Sequence, residues 1–361
     1  MVKSLFVMGQ YGSGKTALCL ALGLKMKEQG LSVSYYKPVW TPTGVGVTVD
    51  ADAVLMREAL GLKLLPERLS PFTASANYLA RYEDAAKALG AIRGGFEEAK
   101  QGADVVIVEG TNWPYVMMSL GLDAAALARE FGSIALLVSK VINDYSLDAT
   151  LVVCRLLALE KVPLAGVVFN NVPRTLLDKT KSIYGPFLKK SGIDVLGVVP
   201  EAVELTAPTV AEFQEALGGE ILVGQEHLGR VVEDVLIGAM TLESAHNYLH
   251  RAQNKAVITG GDRADLALAA LETSTSVLIL TGGLYPNVKV LSRAAEKDVP
   301  VILVHYDTFT VAEKLHDVSR KIRPTDTKAI AVARQNVESF CDWKSILRAI
   351  GVETHRDSGA E

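Results

Sequence analysis

The sequence predicts an α/β protein built on a parallel P-loop sheet with helices on both faces. Short apolar, β-branched runs alternate with helical patterns from the start of the chain to about residue 200, and this alternation is typical of a parallel sheet. Some runs are apolar throughout, as in Val105–Val108, and such strands are normally buried on both faces. A glycine-rich phosphate-binding motif stands between the first apolar run and the first helical pattern. A second, smaller α/β alternation follows beyond residue 240 and leads into a helical tail.

Length and composition favour two domains that each bury a core. The chain has 361 residues, of which 49% are hydrophobic and 22% are charged, and one average domain is shorter than this. The net charge of −4 at pH 7 does not favour nucleic acid as a partner. Cys19, Cys154 and Cys341 each fall in an apolar helical pattern. We therefore expect buried thiols rather than a disulfide framework or a zinc site.

Neither a targeting segment nor a membrane segment is predicted. The apolar run before Gly9 has about five residues, which fits a strand and is too short for a signal peptide. No apolar run approaches the roughly 18 residues that a membrane span needs. We expect a cytoplasmic protein without a membrane partner.

The elements of the first domain are expected in strict alternation. Its strands are predicted at 3–8, 32–36, 104–109, 134–138, 164–170 and 194–199. Its helices are predicted near 15–29, 51–60, 83–101, 123–131, 146–160 and 175–190. Ligands are expected at the edge of the sheet where the carboxyl ends of the parallel strands meet.

A connection separates the two domains. Residues 200–220 contain two prolines and a Gly-Gly pair and are predicted to hold one short helix. The second domain is predicted to have strands at 256–259, 277–280 and 299–304 and helices at 242–252, 263–272, 288–297 and 311–321. Beyond Pro324 we expect helices at 325–340 and 342–350, followed by a polar end that frays.

The octapeptide Gly9–Thr16 fits the pattern Gly-x4-Gly-Lys-[Ser/Thr] of a P-loop. Glycines allow a tight fold in which successive backbone N–H groups point into one concavity, and the helix that starts at Lys15 adds its positive end. The Lys15 ammonium can reach the β- and γ-phosphates, and the Thr16 hydroxyl can bind Mg²⁺. The residues predicted to bind nucleotide in this motif are Gly9, Gly12, Ser13, Gly14, Lys15 and Thr16. An ordinary glycine-rich turn is the alternative.

Carboxylates at the same sheet edge are candidate Mg²⁺ ligands. Glu109 ends the apolar run 105–108 and stands where a Walker-B-like carboxylate is expected; a solvated strand-end glutamate is the alternative. Asp50 and Asp52 lie at the start of a predicted helix. Asp50 is the better candidate for the helix cap, and Asp52 is predicted to be the second metal ligand.

Lys37 and Asn170 also follow predicted strands. The Lys37 ammonium can point at the terminal phosphate or at an anionic substrate, and the alternative is a surface lysine. The Asn170 amide can pair with the edge of a purine, and the alternative is a turn formed by Asn170 and Asn171. Lys15 and Lys37 are the candidate catalytic residues.

The first 205 or so residues resemble dethiobiotin synthetase and its relatives among the cobyrinic acid amidases. The stretches that carry this resemblance are Gly9–Thr16, Lys37–Val39, Asp50–Asp52, Val106–Gly110, Gly166–Asn170 and Leu196–Pro200. The resemblance implies ATP and Mg²⁺ as cofactors, with Lys15 and Thr16 on phosphate and metal and with Asp52 and Glu109 as metal carboxylates. It also implies that Lys37 steadies the transferred phosphoryl group or carbamate and that Asn170 contacts adenine.

One stretch departs from that family. After the Glu-Gly pair, dethiobiotin synthetase continues into a small glycine-rich substrate loop, whereas this chain has the bulky sequence Thr111–Tyr115. The departure changes the space where a diamino acid carboxylate would lie. The nucleotide site is therefore better supported than the chemistry of a biotin precursor.

The second domain repeats a Thr-Gly-Gly sequence at the ends of two strands. These repeats, with Asp307-Thr308 after the next strand, resemble the DRTGG domain, although Ala264 stands where the motif has its threonine. The strand ends could form one polar crevice that holds an anion; the alternative is that the glycines make tight turns and Asp262 caps a helix. The candidate residues are Gly260, Gly261, Asp262, Arg263, Gly282, Gly283, Asp307 and Thr308. The resemblance also implies a homo-oligomer formed through this domain.

The order of the two domains resembles the N-terminal part of long phosphate acetyltransferases. We expect a dethiobiotin synthetase-like domain at 1–205, a DRTGG domain at 209–320 and a helical extension at 321–361, without the acetyltransferase catalytic domain. The resemblance implies a regulatory or accessory protein that binds ATP and Mg²⁺, hydrolyses ATP slowly at most and has a phosphate acetyltransferase-related protein as its partner. The alternative is an ATP-dependent ligase. A partitioning ATPase is disfavoured because Gln10 and Tyr11 stand where that class has an extra lysine.

Overall fold

The chain divides into two compact units. The computed structural model describes residues 2–42, 47–75, 77–80, 84–316, 318 and 320–353. The first unit comprises residues 1–205 together with 322–361, and the second comprises residues 206–321. The sequence predicts the last helices as an extension of their own, whereas the structure places them within the first unit.

The first unit is built on a six-stranded parallel sheet, as predicted. Its strands are β1 (Lys3–Gly9), β2 (Val33–Tyr36), β5 (Val105–Glu109), β6 (Ile134–Lys140), β7 (Leu164–Val172) and β8 (Val195–Pro200), in the spatial order β2-β5-β1-β6-β7-β8. Two strands of two residues, β3 (Val39–Trp40) and β4 (Phe72–Thr73), form a separate pair that the sequence analysis missed. Each is too short to give a period-two pattern.

Helices connect the strands of the first unit. They are α1 (Lys15–Glu28), α2 (Ala51–Leu60), α3 (Pro66–Leu69), α4 (Ala85–Ala99), α5 (Ala124–Glu130), α6 (Tyr145–Leu159), α7 (Leu177–Lys179), α8 (Gly185–Lys190) and α9 (Val203–Thr206). A π-helical turn, Thr180–Tyr184, joins α7 to α8. Alternate residues of β1 show that both faces of the sheet are covered: Leu5 and Val7 lie in one apolar cluster, and Phe6 and Met8 lie in the other.

The second unit has a smaller sheet of five strands. Its strands are β9 (Glu220–Val223), β10 (Asp234–Ile237), β11 (Lys255–Gly260), β12 (Thr275–Thr281) and β13 (Val301–Leu303), in the order β10-β11-β12-β13-β9, with β9 antiparallel. Its helices are α10 (Val210–Leu217), α11 (Leu242–Arg251), α12 (Ala264–Leu271), α13 (Val288–Glu296) and α14 (Thr308–His316). The smaller α/β domain is confirmed. The sequence analysis missed β9 and β10, which are the two edge strands.

The C-terminal helices complete one face of the first sheet. They are α15 (Thr327–Phe340) and α16 (Trp343–Ala349). Helix α15 packs on α1, and a backbone bridge joins Cys341 to Gly197 in β8. The Trp343 ring packs under the Lys25 ammonium, 4.9 Å from the ring centroid. These contacts attach the C-terminal helices to the helix that follows the P-loop.

Two further expectations concern the three cysteines and membrane-spanning helices. Cys19, Cys154 and Cys341 are buried and free of disulfides, as predicted. Within the described part of the chain, no helix is both long and apolar enough to cross a membrane.

Candidate functional site

The loop between β1 and α1 requires glycine at three positions. Gly12 and Gly14 adopt positive φ angles of 67° and 81°, which favour glycine. A Cβ on Gly9 would lie 2.1 Å from the Val138 carbonyl oxygen, and one on Gly14 would lie 2.2 Å from the Asn170 amide nitrogen. The loop therefore folds tightly between the ends of β6 and β7.

Lys15 is buried at the start of α1 and folds back over the loop. Its Nζ donates to the Gln10 carbonyl oxygen at 3.1 Å. Burial lowers the pKa of Lys15 to about 8, although the nearby Glu109 carboxylate opposes this shift. The ammonium is therefore hydrogen-bonded to a backbone carbonyl of the loop itself.

Glu109 is bonded to two hydroxyl groups at the carboxyl end of β5. The Thr16 hydroxyl donates to Glu109 Oε1 at 2.8 Å, and the Tyr35 hydroxyl donates to Oε2 at 2.9 Å. Burial raises the pKa of Glu109 to about 7, and Lys37 acts in the opposite direction. The structure thus brings together Thr16 and Glu109, which the sequence pairs as metal ligands. Tyr35 was not predicted to belong to this site.

Lys37 lies between two aspartates. Its Nζ is 2.5 Å from Asp52 Oδ2 and 3.1 Å from Asp50 Oδ2. Burial alone would lower the pKa of Lys37, but Asp52, Asp50 and Glu109 together raise it. Although burial acts against ionisation of Asp52, Lys37 holds the pKa of that carboxyl below its usual range. Asp50 also caps α2 by accepting from the Asp52 N–H, as predicted.

The donor set of this edge suits a hard cation. Thr16, Asp52 and Glu109 offer a hydroxyl and two carboxylates, and Mg²⁺ prefers oxygen ligands. Among the described residues there is no cluster of three or more His, Cys, Asp or Glu side chains that could hold a metal alone. In proteins Mg²⁺ is usually bound by one or two carboxylates together with waters or substrate phosphates.

Two neighbouring asparagines fasten the P-loop to the end of β7. The Asn170 amide donates to the Ser13 carbonyl oxygen at 2.7 Å, and the Asn171 amide donates to the Gly12 carbonyl oxygen at 3.1 Å. The NH₂ group of Asn170 thus supports the loop in this structure. Its contact with adenine stays a prediction.

Lys140 is a cation of this site that the sequence analysis did not select. It ends β6, and its Nζ lies 3.8 Å from the place where a Cβ on Gly12 would stand. The Gln10 side chain donates to the Lys140 carbonyl oxygen at 3.3 Å. In the described part of the chain, Lys140 forms no ion pair. Lys140 could have been selected from the sequence, because it ends an apolar strand at the same sheet edge as Lys37.

The bulky loop after Glu109 is held by its own contacts. The Thr111 hydroxyl donates to the Trp113 carbonyl oxygen at 2.8 Å. The rings of Trp113 and Tyr115 stack with their centroids 5.9 Å apart, and both side chains are exposed. Aromatic side chains thus stand in the segment where dethiobiotin synthetase has a small glycine-rich loop.

The predicted residues of the second unit lie at one sheet edge, but three of their backbone N–H groups already donate hydrogen bonds within the unit. The strands β11, β12 and β13 are adjacent and parallel. The Gly261 N–H donates to the Thr281 carbonyl, the Gly282 N–H to the Tyr306 carbonyl and the Gly283 N–H to the Val304 carbonyl. These three amides are engaged, so they do not form a free anion cradle in this structure. The geometry favours the tight-turn alternative.

Two charged side chains of this edge, Arg263 and Asp307, are engaged as well. Arg263 donates to the Met240 carbonyl oxygen and pairs with Asp265. Asp307 caps the start of α14 by accepting from the Phe309 and Thr310 N–H groups. The alternative in which Asp262 caps α12 is wrong, because the cap position is Arg263 and no side chain bonds there. A ligand role for these residues stays a prediction.

Comparisons with known proteins match both halves of the chain. The model of the AAA domain family matches residues 3–209, and that of the DRTGG domain matches residues 212–318. The chain is 25% identical to the phosphate acetyltransferase of Nitratidesulfovibrio vulgaris, over 91% of this chain and 49% of that protein. It is 30% identical to the ATP-dependent dethiobiotin synthetase BioD of Aromatoleum aromaticum, over 55% of this chain and 90% of that protein.

The chain spans about half the length of the phosphate acetyltransferases that it matches. A solved structure, cobyrinic acid a,c-diamide synthase from Mycobacterium smegmatis with bound ADP and magnesium, is 17% identical over 56% of this chain and 88% of that chain. Its TM-score is 0.35.

Proposed function

This chain belongs to the AAA domain family, and on that premise we propose that its first unit binds ATP with Mg²⁺ and serves a regulatory or accessory function. Hydrolysis of ATP is slow at most. The second unit, which carries the DRTGG domain, transmits the nucleotide state to an assembly or to a phosphate acetyltransferase-related partner.

One observation carries the nucleotide part of the proposal. Lys15, Thr16 and Glu109 converge at the P-loop, with the Thr16 hydroxyl 2.8 Å from the Glu109 carboxylate and the Lys15 ammonium turned toward the loop carbonyl of Gln10. A triphosphate would accept from the Lys15 ammonium and from the loop amides. The metal would lie between Thr16, the phosphates and the carboxylates of Asp52 and Glu109.

The regulatory part rests on two further observations. The match to phosphate acetyltransferases covers 91% of this chain but 49% of that protein, so the similarity extends through both units in the same order. The segment Thr111–Tyr115 carries two stacked aromatic rings at the position where dethiobiotin synthetase has a small glycine-rich substrate loop. A nucleotide sensor tolerates such a segment, whereas an enzyme for a small diamino acid would need the space.

The second candidate is an ATP-dependent ligase of the dethiobiotin synthetase or cobyrinic acid amidase type. The 30% identity to BioD over 90% of that protein favours it. So does Lys37, which lies where it could steady a carbamate or an acyl phosphate.

An assay of ADP release separates these two functions. The protein is incubated with ATP, Mg²⁺ and bicarbonate, with and without diaminopelargonate. Slow release that the diamino acid does not change supports the regulatory function, and substrate-stimulated release would overturn it in favour of the ligase.

A binding measurement tests the nucleotide site itself. We expect Lys15→Ala to abolish ATP binding in calorimetry, because the variant loses the cation that faces the phosphates. Lys87→Ala is the matched control, since Lys87 is an exposed lysine on α4. Normal ATP binding by Lys15→Ala would show that the P-loop assignment is wrong.

A further inference from the structure

The Tyr35 side chain has its ring in the apolar core and its hydroxyl at the candidate metal site. Tyr35 is fully buried in β2 and belongs to the same apolar cluster as Val7 and Ile107. Its hydroxyl donates to Glu109 Oε2 at 2.9 Å. A tyrosine hydroxyl is protonated at neutral pH, and burial raises the pKa of Tyr35 well above its usual value. The hydroxyl therefore acts as a donor to this carboxylate throughout the physiological pH range.

The two oxygens of the Glu109 carboxylate have different partners. Oε1 accepts from the Thr16 hydroxyl at 2.8 Å, and Oε2 accepts from the Tyr35 hydroxyl. Glu109 is 2% exposed, so water has little access to replace either donor. A glutamate side chain has several accessible rotamers when nothing holds it. Two donors from different elements, α1 and β2, thus hold the carboxylate in one orientation, with Oε1 toward the threonine of the P-loop.

We propose that Tyr35 is a positioning residue for the Mg²⁺ site: by holding Oε2, it keeps Oε1 of Glu109 directed at Thr16, the other candidate ligand. This role rests on the proposed binding of ATP with Mg²⁺ and extends that site to the residue behind the ligand. Metal ligands are commonly oriented by such outer hydrogen bonds, and the loss of one typically weakens metal binding about 10- to 100-fold. Without the Tyr35 hydroxyl, Oε2 would lose its donor inside the core, which disfavours the orientation that presents Oε1 to the metal.

The neighbouring Tyr36 provides a matched control within the same strand. Tyr36 is also fully buried, and its hydroxyl donates to the Ile92 carbonyl oxygen at 3.0 Å. Successive residues of a strand point to opposite faces of the sheet, and Tyr36 accordingly packs in the other apolar cluster. Tyr35→Phe and Tyr36→Phe therefore remove the same atom from the same strand, but only the first removes a donor from a candidate metal ligand.

Nucleotide affinity with and without metal tests the positioning role. Calorimetry of the full chain gives the ATP dissociation constant in saturating Mg²⁺ and in EDTA, and the ratio of the two constants measures what the metal contributes. We expect Tyr35→Phe to reduce this contribution about tenfold or more and to leave the affinity in EDTA close to the original. Tyr36→Phe should leave the metal contribution unchanged. Equal effects of the two substitutions on this contribution, or no effect of Tyr35→Phe, would overturn the proposal.

A double-mutant cycle without nucleotide separates the role of Tyr35 from the proposed function. In the original protein, Tyr35→Phe should lower the urea midpoint of unfolding, because Oε2 of Glu109 loses its donor. In the Glu109→Ala background the same substitution should leave the midpoint unchanged or raise it, since the hydroxyl has already lost its acceptor. Tyr36→Phe should lower the midpoint equally in both backgrounds. If the original protein bound no ATP, the proposed function would be wrong, whereas ATP binding with additive effects in the cycle would overturn only the role of Tyr35.

Discussion

Gly14 shows how much of the phosphate-binding loop depends on a single missing side chain. Its backbone has a positive φ of 81°, and the Asn170 amide occupies the space where a Cβ would stand, at 2.2 Å. The same amide holds the Ser13 carbonyl oxygen. The Asn170 side chain can therefore reach the loop only because residue 14 has no Cβ.

We predict that Gly14→Ala destabilises the protein and weakens ATP binding. The left-handed backbone costs a residue with a Cβ roughly 1–2 kcal/mol, and the contact with Asn170 adds to this cost. Asn170→Ala removes both the steric contact and the hydrogen bond to Ser13, so the cost of Gly14→Ala in the Asn170→Ala background measures the backbone strain. Urea unfolding measures stability, and calorimetry measures ATP binding. If the double variant were as stable as Asn170→Ala alone, backbone strain at residue 14 would be excluded.

Lys140 gives a second prediction at the residue scale. Because its ammonium lies close to Gly12, we expect Lys140→Ala to weaken ATP binding by about 1 kcal/mol, or roughly fivefold, as for one half-buried charge-assisted contact. Binding should fall far less than in Lys15→Ala. Lys87→Ala again serves as the control. Affinity equal to that of the unchanged protein would show that Lys140 points away from the phosphates in solution.

The candidate site was partly predictable at this scale. Lys37, Asp52 and Glu109 could be selected because each follows an apolar strand or opens the helix after it, and the P-loop identifies which sheet edge binds ligands. The ion pairs between Lys37 and the two aspartates could not be predicted, since they depend on how the segment after β2 turns back. Tyr35 looked like a core residue because its hydroxyl partner, Glu109, lies 74 positions away.

At the scale of elements, the central strands could be predicted and the edge strands could not. β5 and β12 are buried along their whole length, and each contains a run of four apolar residues. β10 is largely exposed and β9 is at best half-buried, because each pairs on one side only. Each has only four residues, an acidic one followed by three apolar ones, and the periodicity of so short an apolar run does not distinguish a strand from a helix. In α15 and α16 the helical period was visible, but the surface to which they dock was not.

Helix α16 is predicted to stabilise the P-loop unit directly. Ile346 is fully buried in the same apolar cluster as Leu22 of α1, so Ile346→Ala should reduce the free energy of unfolding by about 2–5 kcal/mol. The control is Ser339→Ala, at an exposed position of α15, which should change stability by less than about 0.5 kcal/mol. Urea unfolding with ATP present and absent measures both. A similar effect of the two substitutions would mean that α16 is not docked in solution.

At the scale of the whole molecule, the chain leaves the first unit and later returns to it. Leu205, before the second unit, and Ile322, after it, pack against the same apolar cluster. Glu204 and Lys328 form an ion pair at 3.2 Å. The points of exit and return therefore lie on one surface of the first unit, as expected for an inserted domain. The order of domains along the sequence, which suggests three consecutive parts, does not reveal this arrangement.

This arrangement predicts opposite outcomes for two shortened chains. Replacing residues 207–320 by a short Gly-Ser linker keeps α15 and α16, so this variant should fold cooperatively and bind ATP close to the original affinity. Ending the chain after residue 205 removes Val337, Ile346 and Leu347 from their shared cluster and exposes apolar side chains of α1. That variant should aggregate or unfold at markedly lower urea concentration. Thermal unfolding and calorimetry compare the two. If the chain that ends at residue 205 were as stable as the linked one, the C-terminal helices would be an accessory to the P-loop unit rather than part of its core.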